Sequence, residues 1–168
     1  MKNLYAPWRS DYADDTGESK KKETSQEKCV FCQQLKANND KKNFILKRFP
    51  STFVILNKYP YNAGHLLVLP KKHLPTLNDL SKEERAEIIE VINQSIEVVS
   101  STLKNEGLNL GLNLGKAAGA GIPSHLHFHI VPRWQGDSNF MPVTAQTKVI
   151  SFDMEKIYSQ IVEKFEAL

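Results

Sequence analysis

Two short apolar runs, residues 43–49 and 52–57, flank the dipeptide Pro50-Ser51. Runs of that length on either side of a turn signal predict a pair of strands. Residues 65–70, His-Leu-Leu-Val-Leu-Pro, are almost wholly apolar and predict a third strand after the loop Tyr59-Pro60-Tyr61-Asn62-Ala63-Gly64. From residue 81 the period changes. Ile88, Ile92, Ile96 and Val99 recur at helical spacing, which marks a buried stripe of core rather than a cofactor site. Ser81, with Glu84 three residues on, makes a capping box, so a long helix is predicted from 81 to about 105. Residues 108–114 alternate leucine with Asn or Gly and predict another strand. A second helix is predicted over 153–167, with Ile157, Ile161 and Phe165 inward. Strands, helix, strands, helix, with no internal repeat, argue for an α+β fold on an antiparallel sheet of about five strands.

The remaining strand pattern is Ser124-His125-Leu126-His127-Phe128-His129-Ile130-Val131-Pro132, which holds three of the five histidines. Period-two alternation predicts a half-buried strand. His125, His127 and His129 then share one face, and Leu126, Phe128 and Ile130 the other. Same-face neighbours stand about 6.6 Å apart, so the outer histidines are about 13 Å apart at Cα. That is too far for three ligands on one metal, although one of them could join a metal site elsewhere. A neutral imidazole is a good nucleophile near pH 7.

Composition narrows the class. The chain of 168 residues is long enough for one domain with a true core. Apolar residues at 40% and charged residues at 24% are ordinary for a soluble globular protein. A net charge of +3 is too modest to argue for nucleic acid. No apolar run is long enough to span a membrane, and residues 1–9 lack the apolar stretch of a signal peptide. The only cysteines are Cys29 and Cys32, in Cys-Val-Phe-Cys. Together these suggest the cytoplasm. By itself the CxxC is open between zinc, a redox pair and two buried thiols; a redox pair is expected at a helix start in a βαβ setting, which the pattern does not offer. Residues 1–28 read as an ordered arm carrying Tyr5 and Trp8, followed by a polar loop with Lys20-Lys21-Lys22; residues 29–168 read as the domain.

The run from His125 to Val131 resembles, position by position, the His-x-His-x-His motif of the histidine-triad (HIT) family. Asn57, eight residues before His65, and the Pro-Lys-Lys-His73 that follows also resemble that family. Ala118-Gly-Ala-Gly-Ile122, Val131-Pro-Arg-Trp-Gln-Gly-Asp-Ser-Asn-Phe-Met-Pro142, the opening Leu-Tyr-Ala-Pro-Trp-Arg and the CxFC are similar to a bacterial branch that includes diadenosine tetraphosphate phosphorylases. The resemblance implies a HIT-like fold, usually a homodimer with a continuous sheet. It implies an enzyme that cleaves adenosine polyphosphates through a covalent adenylyl-histidine on His127. His129 would assist at the phosphate or leaving group, and His65 would hydrogen-bond within the triad. Asn57 would hold the ribose. Asn113 before the small-residue loop 115–123, Gly119 and Gly121 within it, and Ser124 just after it would lie near the phosphates; as a bare pattern that loop could form a phosphate nest. In bacterial relatives the CxxC, the histidine after Pro-Lys-x and the first triad histidine bind one structural zinc; here these are Cys29, Cys32, His73 and His125. The acceptor that opens the intermediate stays between inorganic phosphate, giving ADP and ATP, and water, giving AMP and ATP; phosphate is favoured. A nucleotide-binding module with incidental turnover is the reading from another class.

Overall fold

The computed structural model describes residues 26–147, 149 and 152–168. The expected arm with Tyr5 and Trp8, and the lysine run, lie outside the described residues. The last three residues of the expected loop, Gln26–Lys28, form a 3-10 turn.

Five antiparallel strands make one sheet. They are β1 (Ile45–Arg48), β2 (Thr52–Leu56), β3 (Leu66–Pro70), β4 (Gly107–Leu112) and β5 (Phe128–Arg133), in spatial order β1-β2-β3-β5-β4. β2 and β3 are buried at every position, because both faces of the sheet are covered there. One face carries the long helix, α3 (Lys82–Leu103), and the C-terminal helix, α5 (Met154–Glu166). Ile88, Val91, Ile92, Val98 and Val99 of α3 meet Ile157, Ile161 and Phe165 of α5 and Leu126, Phe128 and Ile130 in one core. Ser81 accepts from the Glu84 N–H while Glu84 returns a bond to the Ser81 N–H, so the predicted capping box is present. Ile96 is only partly buried; the stripe is wider than predicted and includes Ser95, whose hydroxyl donates back to the Val91 carbonyl.

The other face packs a smaller cluster of Phe31, Ile45, Phe53, Ile55, Leu67 and Leu69 with Cys29. Its cover is α1 (Val30–Lys36), a helix that the sequence pattern did not predict. A helical turn, α2 (Asp40–Asn43), replaces the start of the strand expected from residue 43, and Phe44 in the left-handed region (φ 56°) turns the chain into β1. A further short turn, α4 (Met141–Thr144), follows β5. Among the described residues no helix is long and apolar enough to cross a membrane.

Candidate functional site

The strand expected over 124–132 begins only at Phe128. β5 pairs with β3 from Val68–Phe128 to Leu66–Ile130, and its pairing with β4 starts at Leu112–Phe128. Before Phe128 the chain is outside the ladder: the His125 N–H closes a turn on the Ile122 carbonyl, and the Leu126 N–H donates to the Leu74 carbonyl, beside His73. Alternation survives this departure. Leu126, Phe128 and Ile130 enter the helix-side core; His125 and His127 lie against Phe31 on the other side, and His129 pairs with Leu67 of the same cluster. Their rings nonetheless serve different neighbours.

His125 is fully buried. Its Nε2–H donates to the Pro70 carbonyl at 2.9 Å, so Nδ1 carries the lone pair. That nitrogen lies 3.4 Å from Cys29 Sγ and 3.5 Å from Cys32 Sγ, and Cys32 Sγ lies 3.4 Å from His73 Nδ1. All four ligand atoms fall within 4.8 Å of one another and could hold a metal ion. Burial, more than the neighbouring Cys29, pushes the Cys32 thiol up to about 12. A thiol so placed ionises only beside a cation. Burial, with the nearby His73 and His127, also holds His125 down to about 4 against the opposing Pro70 bond, so the ring is neutral and free to ligate. Cys29 caps α1 and Cys32 lies in its first turn, so the CxxC does open a helix, though without the flanking parallel strands of a βαβ unit.

His127 is 5% exposed and donates its Nδ1–H to the backbone carbonyl of His125 at 2.8 Å. The lone pair is thereby left on Nε2. Burial lowers its pKa against the opposing effect of that bond, which keeps the ring neutral. Phe31, held between the two cysteines and 6% exposed, packs 5.3 Å from the His127 ring and 5.5 Å from that of His125. On its other side His127 meets His129, with centroids 5.0 Å apart.

His129 belongs to a second arrangement, built on the loop after β2. The His65 Nδ1 accepts from the Tyr61 N–H at 3.0 Å and from Asn57 Nδ2 at 3.3 Å. An imidazole nitrogen that accepts twice carries no proton, so His65 is protonated at Nε2. That N–H donates to His129 Nδ1 at 2.9 Å. His129 in turn must carry its own proton on Nε2, a buried donor with no partner among the described residues. Burial and His127 hold His129 down to about 4, so this neutral tautomer persists through the neutral range.

The loop is fixed in place from outside the triad. Asn62 accepts the His65 N–H on its backbone carbonyl, while its side chain donates to the Pro132 carbonyl and to Asp137 Oδ2 at 2.7 Å. Asp137 also takes Arg133 and the Trp134 N–H; the Arg133 guanidinium above all holds its carboxyl far below the usual range. Gly64 sits at φ +69°, where a Cβ would collide with Leu103 Cδ1 at the end of α3.

The structure brings His65, His127, His129 and Asn57 together. Asn57 is more inward than expected for a sugar contact alone: Oδ1 accepts the Tyr59 N–H while Nδ2 serves His65. Asn113 follows β4 directly, one residue beyond the Leu112–Phe128 pair and therefore level with His127. The loop 115–123 is less open to anions than its glycines suggest. The Gly119 N–H closes a turn on the Lys116 carbonyl, and the Ala120 N–H donates to the Gly115 carbonyl. Residues 115–119 are exposed, while Gly121 and Ser124 are half-buried and Ile122 packs on the Phe31 cluster, so only the end of the loop turns inward. Sequence reasoning missed Phe31, Tyr61, Asn62 and Asp137. An apolar residue inside a ligand pair, and an Arg-to-Asp spacing of four across the Gly136 turn, were the available signals.

The antiparallel sheet, with histidines alternating into β5 and the Cys29, Cys32, His73 and His125 group beside them, agrees with a histidine-triad protein. The HIT domain family model matches residues 38–136, and the chain belongs to the HIT family. It is 33% identical over 150 residues to the AP-4-A phosphorylase of Mycobacterium tuberculosis, covering 89% of this chain and 77% of that one. It is 30% identical to the bis(5'-adenosyl)-triphosphatase of Dictyostelium discoideum, covering 68% of this chain and 80% of that one. Among solved structures, a zinc-bound histidine triad protein from Mycobacterium smegmatis superposes with a TM-score of 0.68 at 25% identity, over 85% of this chain and 96% of that one.

Proposed function

We propose that this protein transfers adenylyl groups from adenosine polyphosphates of the diadenosine tetraphosphate type, by way of a covalent intermediate on His127. The observation that carries the reading is the pairing of tautomers: a lone pair on His127 Nε2 beside a ring whose Nε2–H has no partner among the described residues. In the first step the Nε2 lone pair forms a bond to the α-phosphorus, and the P–O bond to the polyphosphate breaks. His129 donates its Nε2–H to an oxygen of the phosphate or of the departing ATP. In the second step an oxygen of inorganic phosphate attacks the same phosphorus, the P–N bond breaks, and ADP leaves. The sum is diadenosine tetraphosphate and phosphate to ATP and ADP. The name of the Mycobacterium relative supports the phosphate acceptor; the name of the Dictyostelium relative supports water. Asn57 and Asn113 face the sugar and phosphates in this reading, with Gly119, Gly121 and Ser124 lining the approach.

Cys29, Cys32, His73 and His125 would hold one zinc per chain. Their 3.4–3.5 Å contacts are close to the roughly 3.5 Å between corners of a tetrahedral zinc site with ordinary Zn–S and Zn–N lengths. Such a closed set is structural, and its need for reduced thiols suits the cytoplasm. Residues 29–168 act as one domain, and two copies pair through β4. That strand ends the sheet, and Leu110 and Leu114 beside it are 49% and 48% exposed, an edge that a second sheet would cover.

The test is to incubate diadenosine tetraphosphate with the purified protein, with and without inorganic phosphate, and to separate the nucleotides. ADP and ATP that appear only with phosphate are expected. AMP and ATP at a rate indifferent to phosphate would replace phosphorolysis by hydrolysis, and no turnover at all would leave a binding module.

A further inference from the structure

Tyr61 lies in the loop between Asn57 and His65, and nothing so far gives its side chain a role. Its ring centroid is 4.6 Å from that of His65, tilted by 41°, and 5.8 Å from that of His129 at an interplanar angle of only 16°. One ring therefore lies against both members of the His65–His129 hydrogen bond. The backbone of the same residue supplies the 3.0 Å N–H that forces the His65 proton onto Nε2. His65 is fully buried, whereas half of Tyr61 is exposed. Tyr61 thus stands between that bond and solvent.

Several consequences follow from the chemistry of imidazole. The two neutral tautomers of a histidine differ little in energy in water, so a single one persists only where its partners are fixed. The His129 tautomer depends on the His65 Nε2–H, and that depends on the bond at His65 Nδ1. Water reaching either nitrogen would offer a competing partner of the opposite sense. A flat ring beside both imidazoles excludes that water and restrains rotation of His129 about its side-chain bonds. We propose that Tyr61 is a positioning residue: its ring seals the His65–His129 bond and so keeps the His129 Nε2–H aimed at the reacting phosphate. The inference rests on the adenylyl-transfer reading for its kinetic consequence, but the tautomer it fixes is a property of the free protein.

Two variants and two readouts test it. Tyr61→Phe keeps the ring and should turn over diadenosine tetraphosphate within about twofold of the parent. Tyr61→Leu removes it; kcat should fall about tenfold or more with KM little changed, since misaligning a group that acts in the transition state costs rate rather than binding. The second readout needs no substrate. In protein labelled with ¹⁵N-histidine, His129 should show one protonated and one bare ring nitrogen. In Tyr61→Leu the two signals should move toward the average of exchanging tautomers, while the melting temperature stays within a few degrees. A parental kcat in Tyr61→Leu, or a fall shared equally by Tyr61→Phe, would overturn the proposal. So would a rise in KM alone, which would make Tyr61 a substrate contact. If the protein turns over no adenosine polyphosphate at all, the ¹⁵N spectra still decide: a single unshifted tautomer in Tyr61→Leu would refute the role of the ring.

Discussion

The two flanks of His127 solve the same problem with different materials. On the candidate metal side, His125 is held by its ring on both nitrogens, by the Pro70 carbonyl and by the thiols, and its own carbonyl then fixes the proton of His127. On the loop side, His129 is fixed at second hand, through His65, by a backbone N–H and an amide. The metal side buries Cys29 and His125, leaves Cys32 and His73 partly buried, and uses side chains that have few substitutes. The loop side buries His65 under a half-exposed Tyr61, and Asn62 ties its loop to a carboxylate 75 residues away. One flank sets where a lone pair points; the other sets where a proton points. The metal side should therefore fail by unfolding and the loop side by losing rate.

The largest effect is expected where the flanks meet. His127→Ala should lower turnover of diadenosine tetraphosphate by at least about three orders of magnitude, because no other group can take over the covalent step. His127→Asn should still bind nucleotide, measured by calorimetry. A correctly folded His127→Ala protein with near-parental rates would remove the nucleophile from both halves of the comparison.

Next comes the metal side. Cys29→Ser should reduce metal from one ion per chain toward none, and should destabilise the fold by about 4 kcal/mol or more, as loss of a structural metal does. Metal analysis and denaturant unfolding measure the two together. Rate should also fall at temperatures where the variant stays folded, because the carbonyl that bonds His127 belongs to His125, a member of the candidate metal group. A variant that loses its metal but keeps its stability would show that Phe31 and the apolar cluster hold this flank without it.

The contrast also explains what the sequence could reveal. Cysteines three apart, a histidine after Pro-Lys-Lys and a second histidine in a strand pattern are rare residue types at fixed spacings, so the four residues that the structure gathers could be named as a candidate metal group. The alternation of His125–Ile130 likewise told which side chains enter the core, since period two persists after the ladder is lost. It could not tell where the ladder ends, because that depends on His125 leaving it to reach Pro70 and the thiols. Helix α1 was hidden for a related reason: its seven residues are too few for a helical period, and tertiary contacts hold it in place. On the loop side, Asn62 and Asp137 are common residues joined only by the fold. Tyr61 acts partly through its backbone N–H, which no residue type announces.

Gly64 probes the loop side through its backbone. At φ +69° and against Leu103, alanine there meets both a conformational penalty and a collision. Gly64→Ala should cost about 2–4 kcal/mol, the sum of left-handed strain and overpacking. Adding Leu103→Ala should recover the overpacking share and leave the strain. Full recovery in the double variant would mean that the positive φ is not required and that the loop can reach His65 by another path.

The smallest effect is a dependence on pH that belongs to the loop side. The groups facing His129 are His65, His127 and Tyr61. Burial first, and His127 second, hold its pKa at about 4 against an ordinary 6.5. Above pH 6.5 the ring is neutral in both folded and unfolded chains and contributes no slope. Between 6.5 and 4 the unfolded chain binds a proton that the folded chain refuses, so stability falls as pH falls. At pH 5.5 the loss from this one ring is about 1 kcal/mol, and below about pH 4 it is complete. His125 carries a depressed value of its own, so the total acid loss does not isolate His129. The difference between the parent and His129→Asn does: their unfolding free energies should approach one another on going from pH 7 to pH 5, with the metal content of both checked at each pH. A constant gap across that range would mean that His129 is solvated well enough to take its proton in the folded state. The bond from His65 would then be lost in mild acid, because the added proton must go to His129 Nδ1, the atom that accepts that bond.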